Sequence, residues 1–276
     1  CTIAAHNFPA LDLNHISVRN DDGVAYLEAM SPVDCIFLDP ARRNEHGGKT
    51  VAISDCEPNV AELEGLLLSK ANRIMIKLSP MLDLSQALKE LPHTQEVHII
   101  SVNNECKELL LLLGQTAPEE IPVHCVNLST KGEQEKQLFV FTREQEQHSE
   151  CSYTDTLGNY LYEPNASLLK AGAFRSIAAA YSVKKLHPNS HLYTSDTQIE
   201  GFPGRTFRII NRCSLNKKEI KENLSDLKKA NITVRNFPAT VAELRKRIKL
   251  AEGGDTYLFA STLNDGQKIL IRCGKV

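Results

Sequence analysis

The stretch Cys35-Ile36-Phe37-Leu38-Asp39-Pro40-Ala41-Arg42-Arg43 sets four apolar residues directly before a carboxylate, a proline and two guanidiniums. An apolar run without alternation reads as a strand buried on both faces, which belongs in a parallel sheet covered by helices. In open sheets of that kind ligands bind beyond the C-terminal ends of the strands, and Asp39 stands at such an end. A carboxylate there can accept hydrogen bonds from an exocyclic amine, Pro40 fixes the local backbone, and Arg42 and Arg43 can grip phosphate bidentately. The same five residues also suit a strand-ending Asp that caps a loop while Arg pairs with a nearby Glu.

Outward from this strand, residues 2–131 alternate short β-branched runs with helical stretches, the rhythm of an α/β fold. Strands are expected over 16–20, 35–39, 73–78, 97–102, 123–128 and 137–142, with helices over 58–71, 84–91 and 105–113. The first helix is the clearest, with Pro58 at its start and Val60, Leu63, Leu67 and Leu68 at helical spacing. The polar run 131–136 should turn one edge strand into an antiparallel neighbour. REQEQHSE, residues 143–150, shows no periodicity and should end the first domain, giving domains 1–146, 147–203 and 204–276. A single helix is expected over 166–181. The last domain reads βαβαββ, with strands over 206–212, 233–237, 256–263 and 268–273 and helices over 217–229 and 241–250. Asn216 and the T-x-x-E box of Thr240 and Glu243 are helix-start signals, and Asn264-Asp265-Gly266 tolerates the positive φ of a tight hairpin.

The net charge of −2 hides an asymmetry. Residues 1–150 hold 12 Lys and Arg against 23 Asp and Glu, whereas residues 151–276 hold 20 against 11. A basic part of that size attracts a polyanion, unless it is simply a solvated face packed on an acidic neighbour. No apolar run approaches the roughly 20 residues of a membrane span, and no signal peptide is visible. The 8 cysteines are scattered without C-x-x-C or Cys/His zinc spacing, so no metal is expected and the thiols read as buried and free in a reducing cytoplasm. Hydrolase, zincin and Walker motifs are absent, as are repeats.

Phe37 to Arg43, with Lys77-Leu78-Ser79-Pro80 on the next strand, resembles bacterial class I S-adenosylmethionine-dependent methyltransferases that carry a C-terminal THUMP-like domain. In the wider fold a D-P-P-Y or N-P-P-Y motif occupies this strand end in enzymes that methylate amino groups of bases. Asp39 and Pro40 match its first two positions; Ala41 and Arg42 depart from the others, so the aromatic stacking surface is missing. Residues 1–13 resemble the helix after the second strand, and residues 17–27 the third strand and its turn. Residues 162–174 and 185–196 resemble the family's small ferredoxin-like insert. Arg235-Asn236-Phe237-Pro238, Glu243 to Arg247 and Gly253-Gly254-Asp255-Thr256-Tyr257-Leu258-Phe259 resemble its THUMP-like module.

The fold so implied is a partial Rossmann-like methyltransferase sheet, a ferredoxin-like segment and a βαβαββ THUMP-like domain. The resemblance implies a catalytic lip of Asp39, Pro40, Arg42 and Arg43, with Lys77 and Ser79 beside it. It implies that Asp22, with Asp21 as understudy, meets the adenine amine of S-adenosylmethionine, and that Asp39 lies close to the cofactor. Candidate RNA contacts are Arg205, Arg208, Arg212, Lys217, Lys218, Arg235, Arg245, Lys246, Arg247 and Lys249, with Arg245 and Lys249 on one helical face. The alternation of Tyr257 and Phe259 points instead to core positions. A complete enzyme of this kind opens with a strand, a Gly-rich turn and an acidic ribose-binding residue. None precedes Cys1, so a fragment with an incomplete cofactor site, inactive alone, is expected. Its strand over 16–20 should re-pair with 35–39 or be disordered, and the uncovered edge should invite self-association. Three functions fit: a methyltransferase of structured RNA such as tRNA or rRNA, an RNA-binding protein on a degenerate scaffold, or a methyltransferase of a small acidic metabolite.

Overall fold

The computed structural model describes residues 1–42, 52–130 and 136–276, which divide into two compact units. The first comprises residues 1–95 and 111–118, the second 96–110 and 119–276.

The first unit opens with helices α1 (Thr2–Ala10) and α2 (Gly23–Ala29) and continues through strand β1 (Val33–Leu38). A two-residue ribbon, β2 (Ala41–Arg42) and β3 (Cys56–Glu57), leads to α3 (Val60–Lys70), β4 (Ala71–Leu78) and α4 (Leu84–Glu90). β1 and β4 are parallel, with Cys35 opposite Arg73 and Leu38 opposite Ile76. Val60 and Leu67 of α3 are buried together with Ile74 and Ile76 of β4, as the helical spacing of the sequence requires. The expected strand over 16–20 does not form. Only two apolar residues stand in that stretch, Ile16 is 39% exposed, and the chain runs irregularly into Asp22, which caps α2. β1 therefore lies at an end of its sheet, beside β4, and Phe37 is 58% exposed.

Next come β5 (Thr94–Val102) and β6 (Glu105–Leu113). The helix expected over 105–113 is thus a strand. Leu109, Leu111 and Leu113 are buried while Leu110 and Leu112 are half-buried, a period of two that sheet pairing imposes on a leucine-rich run. Asn103 and Asn104, with φ of 50° and 64°, make the two-residue turn between the strands. In the second unit β5 pairs in parallel with β7 (Pro122–Leu128), and β7 antiparallel with β8 (Lys136–Thr142).

Residues 143–150 hold a short helix, α5 (Arg143–His148), started by a capping box of Thr142 and Gln145. Its Glu146 has a second duty. After β9 (Tyr160–Pro164), the expected single helix is two, α6 (Ala166–Ala171) and α7 (Phe174–Tyr181), parted at Gly172 with φ +77°. Glu146 accepts from the backbone N–H groups of Phe174, Arg175 and Ser176 at 3.0, 2.8 and 2.8 Å and from Ser176 Oγ at 2.7 Å. It thereby satisfies the donors that a helix start leaves open. Glu146→Ala should destabilise this part by about 1–2 kcal/mol. Faster amide exchange at Phe174 to Ser176, read by NMR, is the expected sign, and unchanged protection there would refute it.

β10 (Lys184–Lys185), β11 (Tyr193–Ser195), β12 (Gly204–Cys213), α8 (Lys217–Leu224), β13 (Asn231–Val234), α9 (Val241–Ile248), β14 (Thr256–Thr262) and β15 (Lys268–Lys275) complete the chain. From β12 onward the order is the βαβαββ read from the sequence. One seven-stranded sheet, β10-β11-β9-β12-β15-β14-β13, runs through everything after residue 159. Its core holds Phe207 between Tyr257 and Phe259, with ring centroids 4.9 Å away in each case, as the alternation of the last two suggested. Asn216 and Thr240 cap α8 and α9, the latter in a full capping box. The hydrogen bonds Glu243 receives from Thr240 hold its carboxyl below the usual range. Gly266 turns the last hairpin with φ +88°. Both helices are shorter than expected. Lys249 turns left-handed at the end of α9, so it does not share a helical face with Arg245.

The eight cysteines are free, and Cys56, Cys125, Cys213 and Cys273 are buried as expected. Cys1, just before α1, and Cys35, on the strand at the end of its sheet, are exposed. No helix among the described residues is long and apolar enough to cross a membrane.

Candidate functional site

Parallel pairing brings the C-terminal ends of β1 and β4 side by side. The first continues into Asp39, the second carries Lys77, and Lys77 Nζ lies 2.7 Å from Asp39 Oδ2. The carboxylate is half exposed and the ammonium about one third, so the pair faces solvent at the lip of the sheet. Ser79 supplies the turn after β4: its Oγ accepts from Met81 N–H at 3.2 Å and its carbonyl from Leu82 N–H at 3.1 Å. Pro40 is half-buried and hands the chain to β2, where Arg42 pairs through its backbone with Cys56. Arg43 lies outside the described residues. Lys77, expected only as a neighbour, is the group that orients Asp39.

A cavity of about 750 Å³ opens beside β1, walled by Tyr26, Met30, Phe37, Leu38 and Pro58, with Asp22 on its rim. Asp22 Oδ1 accepts from Val24 and Ala25 N–H at 3.0 and 2.9 Å, the work of a helix N-cap. Asp21 instead faces Arg19 at 3.6 Å, and it does not line the cavity. Of the two expected adenine ligands, Asp22 alone lines the cavity.

In the basic part, several of the cations have partners within the protein. Arg205 and Arg235 converge on Glu163, whose side chain is 2% exposed: Arg205 Nε lies 2.9 Å from Oε2 and Arg235 Nη2 2.9 Å from Oε1. Both were expected to touch RNA, and both have a buried carboxylate as a partner within the protein. Arg245 donates to the Ala230 carbonyl at 3.2 Å and Arg247 to that of Leu215 at 2.9 Å. Arg205 and Arg247 are exposed despite these bonds, as are Arg208, Arg212, Lys217, Lys218, Lys246 and Lys249. Glu163 itself carried no sequence signal, since a lone acid inside Tyr-Leu-Tyr-Glu-Pro resembles any strand-end charge.

Residues 160–203 match a ferredoxin-like domain and residues 204–275 a THUMP domain-like module. Among curated proteins nothing matches the chain. Among solved structures, the chain is similar to the crystal structure of a candidate methyltransferase from Porphyromonas gingivalis W83, at 40% identity and a TM-score of 0.80. The match covers 88% of this chain and 60% of that one, so the chain spans about three fifths of the length of the structure it matches. The protein is thus a mixed α/β chain with ferredoxin-like and THUMP-like domains.

Proposed function

We propose that this chain belongs to an S-adenosylmethionine-dependent methyltransferase of the cytoplasm that modifies structured RNA, tRNA or rRNA. The observation that carries the reading is the Asp39–Lys77 pair at the lip of a parallel strand pair, in a chain similar to a candidate methyltransferase. The residues present fit part of the cofactor. Apolar walls of Tyr26, Phe37 and Leu38 suit a purine ring, and Asp22 on the rim can accept from its exocyclic amine. The cofactor's sulfonium supplies an electrophilic methyl group, and the protein's task is alignment of a target lone pair with it. Lys77 fixes the carboxylate of Asp39, which orients the target amine or takes its proton. Arg42 and Arg43 hold a neighbouring phosphate. In this reading residues 1–276 supply part of the cofactor pocket and do not turn over alone. The open β1 edge, with Phe37 exposed, is then a surface for self-association.

The THUMP-like module anchors the RNA through its exposed cations. Replacing Lys217 and Lys218 together by alanine should weaken tRNA binding and reduce the slope of log affinity against log salt by about 1–2. Fluorescence anisotropy at several salt concentrations reads both, and an unchanged slope would remove these lysines from the interface.

The deciding experiment is transfer of a labelled methyl group from S-adenosylmethionine to total RNA by the complete protein. Label in an RNA fraction supports the reading. RNA binding without label favours a degenerate scaffold, and label in a small acidic molecule favours a metabolite methyltransferase.

A further inference from the structure

Glu96 and His98 stand two residues apart on β5, so both side chains leave the same face of the strand. The parallel register sets His124 of β7 directly opposite His98. Their imidazoles stack with centroids 4.4 Å apart and planes 8° apart. Glu96 Oε2 lies 3.2 Å from His98 Nε2 and 3.9 Å from His124 Nε2. The longer distance is beyond hydrogen-bond range, and His124 Nε2 is shut off from solvent with no hydrogen-bond partner. A buried ring nitrogen left so is costly unless something occupies the space before it. All three side chains remain partly accessible, which gives a ligand a path.

We infer that Glu96, His98 and His124 form a binding site for one divalent first-row transition ion of the zinc class. The donor set decides the class. Two imidazole nitrogens and one carboxylate oxygen suit Zn²⁺, Co²⁺, Ni²⁺ or Cu²⁺, whereas Mg²⁺ and Ca²⁺ take oxygen shells. The donor atoms lie within 4.8 Å of one another, close enough for small side-chain rotations to set each at about 2.0–2.2 Å from a shared ion. Stacked rings point their lone pairs nearly parallel, so one ring must turn about its broad terminal torsion to bring both onto the ion. The strand pairing holds the Cα atoms in place during that turn, and three protein ligands leave a fourth position for water. The ion would clasp β5 to β7 at a point the methyl-transfer reading does not use, so the two inferences stand apart.

Sequence spacing hides this site, because two of its ligands come from β5 and the third from β7, joined by register rather than by a short motif. The test is titration of the chelator-treated chain with Co²⁺, followed by visible absorption and calorimetry. One equivalent should bind with the d–d bands of nitrogen and oxygen coordination, and His98→Gln or His124→Gln should weaken it at least tenfold. Glu96→Gln, at a half-exposed carboxylate, should weaken it while leaving far-UV circular dichroism unchanged, which keeps the test valid if a histidine variant folds poorly. Added Zn²⁺ should raise the melting temperature of the wild type and not of the variants. Absence of d–d bands, a thiolate charge-transfer band as the sole signal, or affinity equal to wild type in all three variants would overturn the inference.

Discussion

Asp39→Ala in the complete protein is expected to lower methyl transfer by about 10²–10³-fold, the loss typical of removing a general base or a fixed electrostatic group from a transition state. The fall should appear in kcat and in kcat/KM alike, because in the proposed function the carboxylate acts where the target lone pair meets the methyl group and not where RNA is anchored. Asp39→Asn separates two versions of the role. If Asp39 only orients an amine, the amide oxygen still accepts a hydrogen bond and much of the rate survives; if it takes a proton, Asn fails as Ala does. Lys77→Met removes the ammonium 2.7 Å away and should cost about tenfold, since it frees the carboxylate to sample other rotamers without deleting it. Activity of Asp39→Ala within twofold of wild type would take the reaction away from this lip.

The end of β1 was legible because its signal is local: an apolar run that stops at Asp-Pro says where a strand ends. The last module was equally plain, since capping residues and a hairpin turn punctuate each element of its βαβαββ order. The misread elements fail for one shared reason, that the sequence there is compatible with two local structures and a distant strand or carboxylate chooses. Five consecutive leucines fit a helix or a buried strand, and pairing made β6 a strand. Residues 16–20 had the β-branched character of a strand but found no ladder to join. The polar run after Thr142 looked like a linker because its purpose, holding the start of α7 through Glu146, lies 28 residues onward. Lys77 as the partner of Asp39 needed the register of β1 on β4, which no single strand contains.

The basic module was the least legible, because a count of cations cannot tell a guanidinium facing RNA from one facing a buried acid, and this distinction gives the second large expected effect. Glu163 on β9 is almost fully buried and receives Arg205 from β12 and Arg235 from the end of β13, so it ties three strands of one sheet through charge. The two sides of this triad differ in burial: the arginine side chains are 42% and 36% exposed, that of the glutamate 2%. Removing the acid therefore leaves cations that can swing toward water, and Glu163→Gln, which keeps an acceptor oxygen, should cost about 1–2 kcal/mol. Replacing both arginines by methionine strands a charge that has no route to solvent, and that variant should lose about 3–5 kcal/mol. Urea unfolding of the chain, with tyrosine fluorescence reporting on this tyrosine-rich sheet, measures both losses. The order of the two effects is the discriminating result. If the double arginine variant is no less stable than Glu163→Gln, the carboxylate is hydrated in solution and the arginines return to the pool of cations available to RNA. If the order holds, loss of tRNA affinity in Arg205 or Arg235 variants reports a loosened sheet, and the RNA footprint has to be mapped with Arg208, Lys217, Lys218, Lys246 and Lys249, whose exposed side chains can change without touching the core.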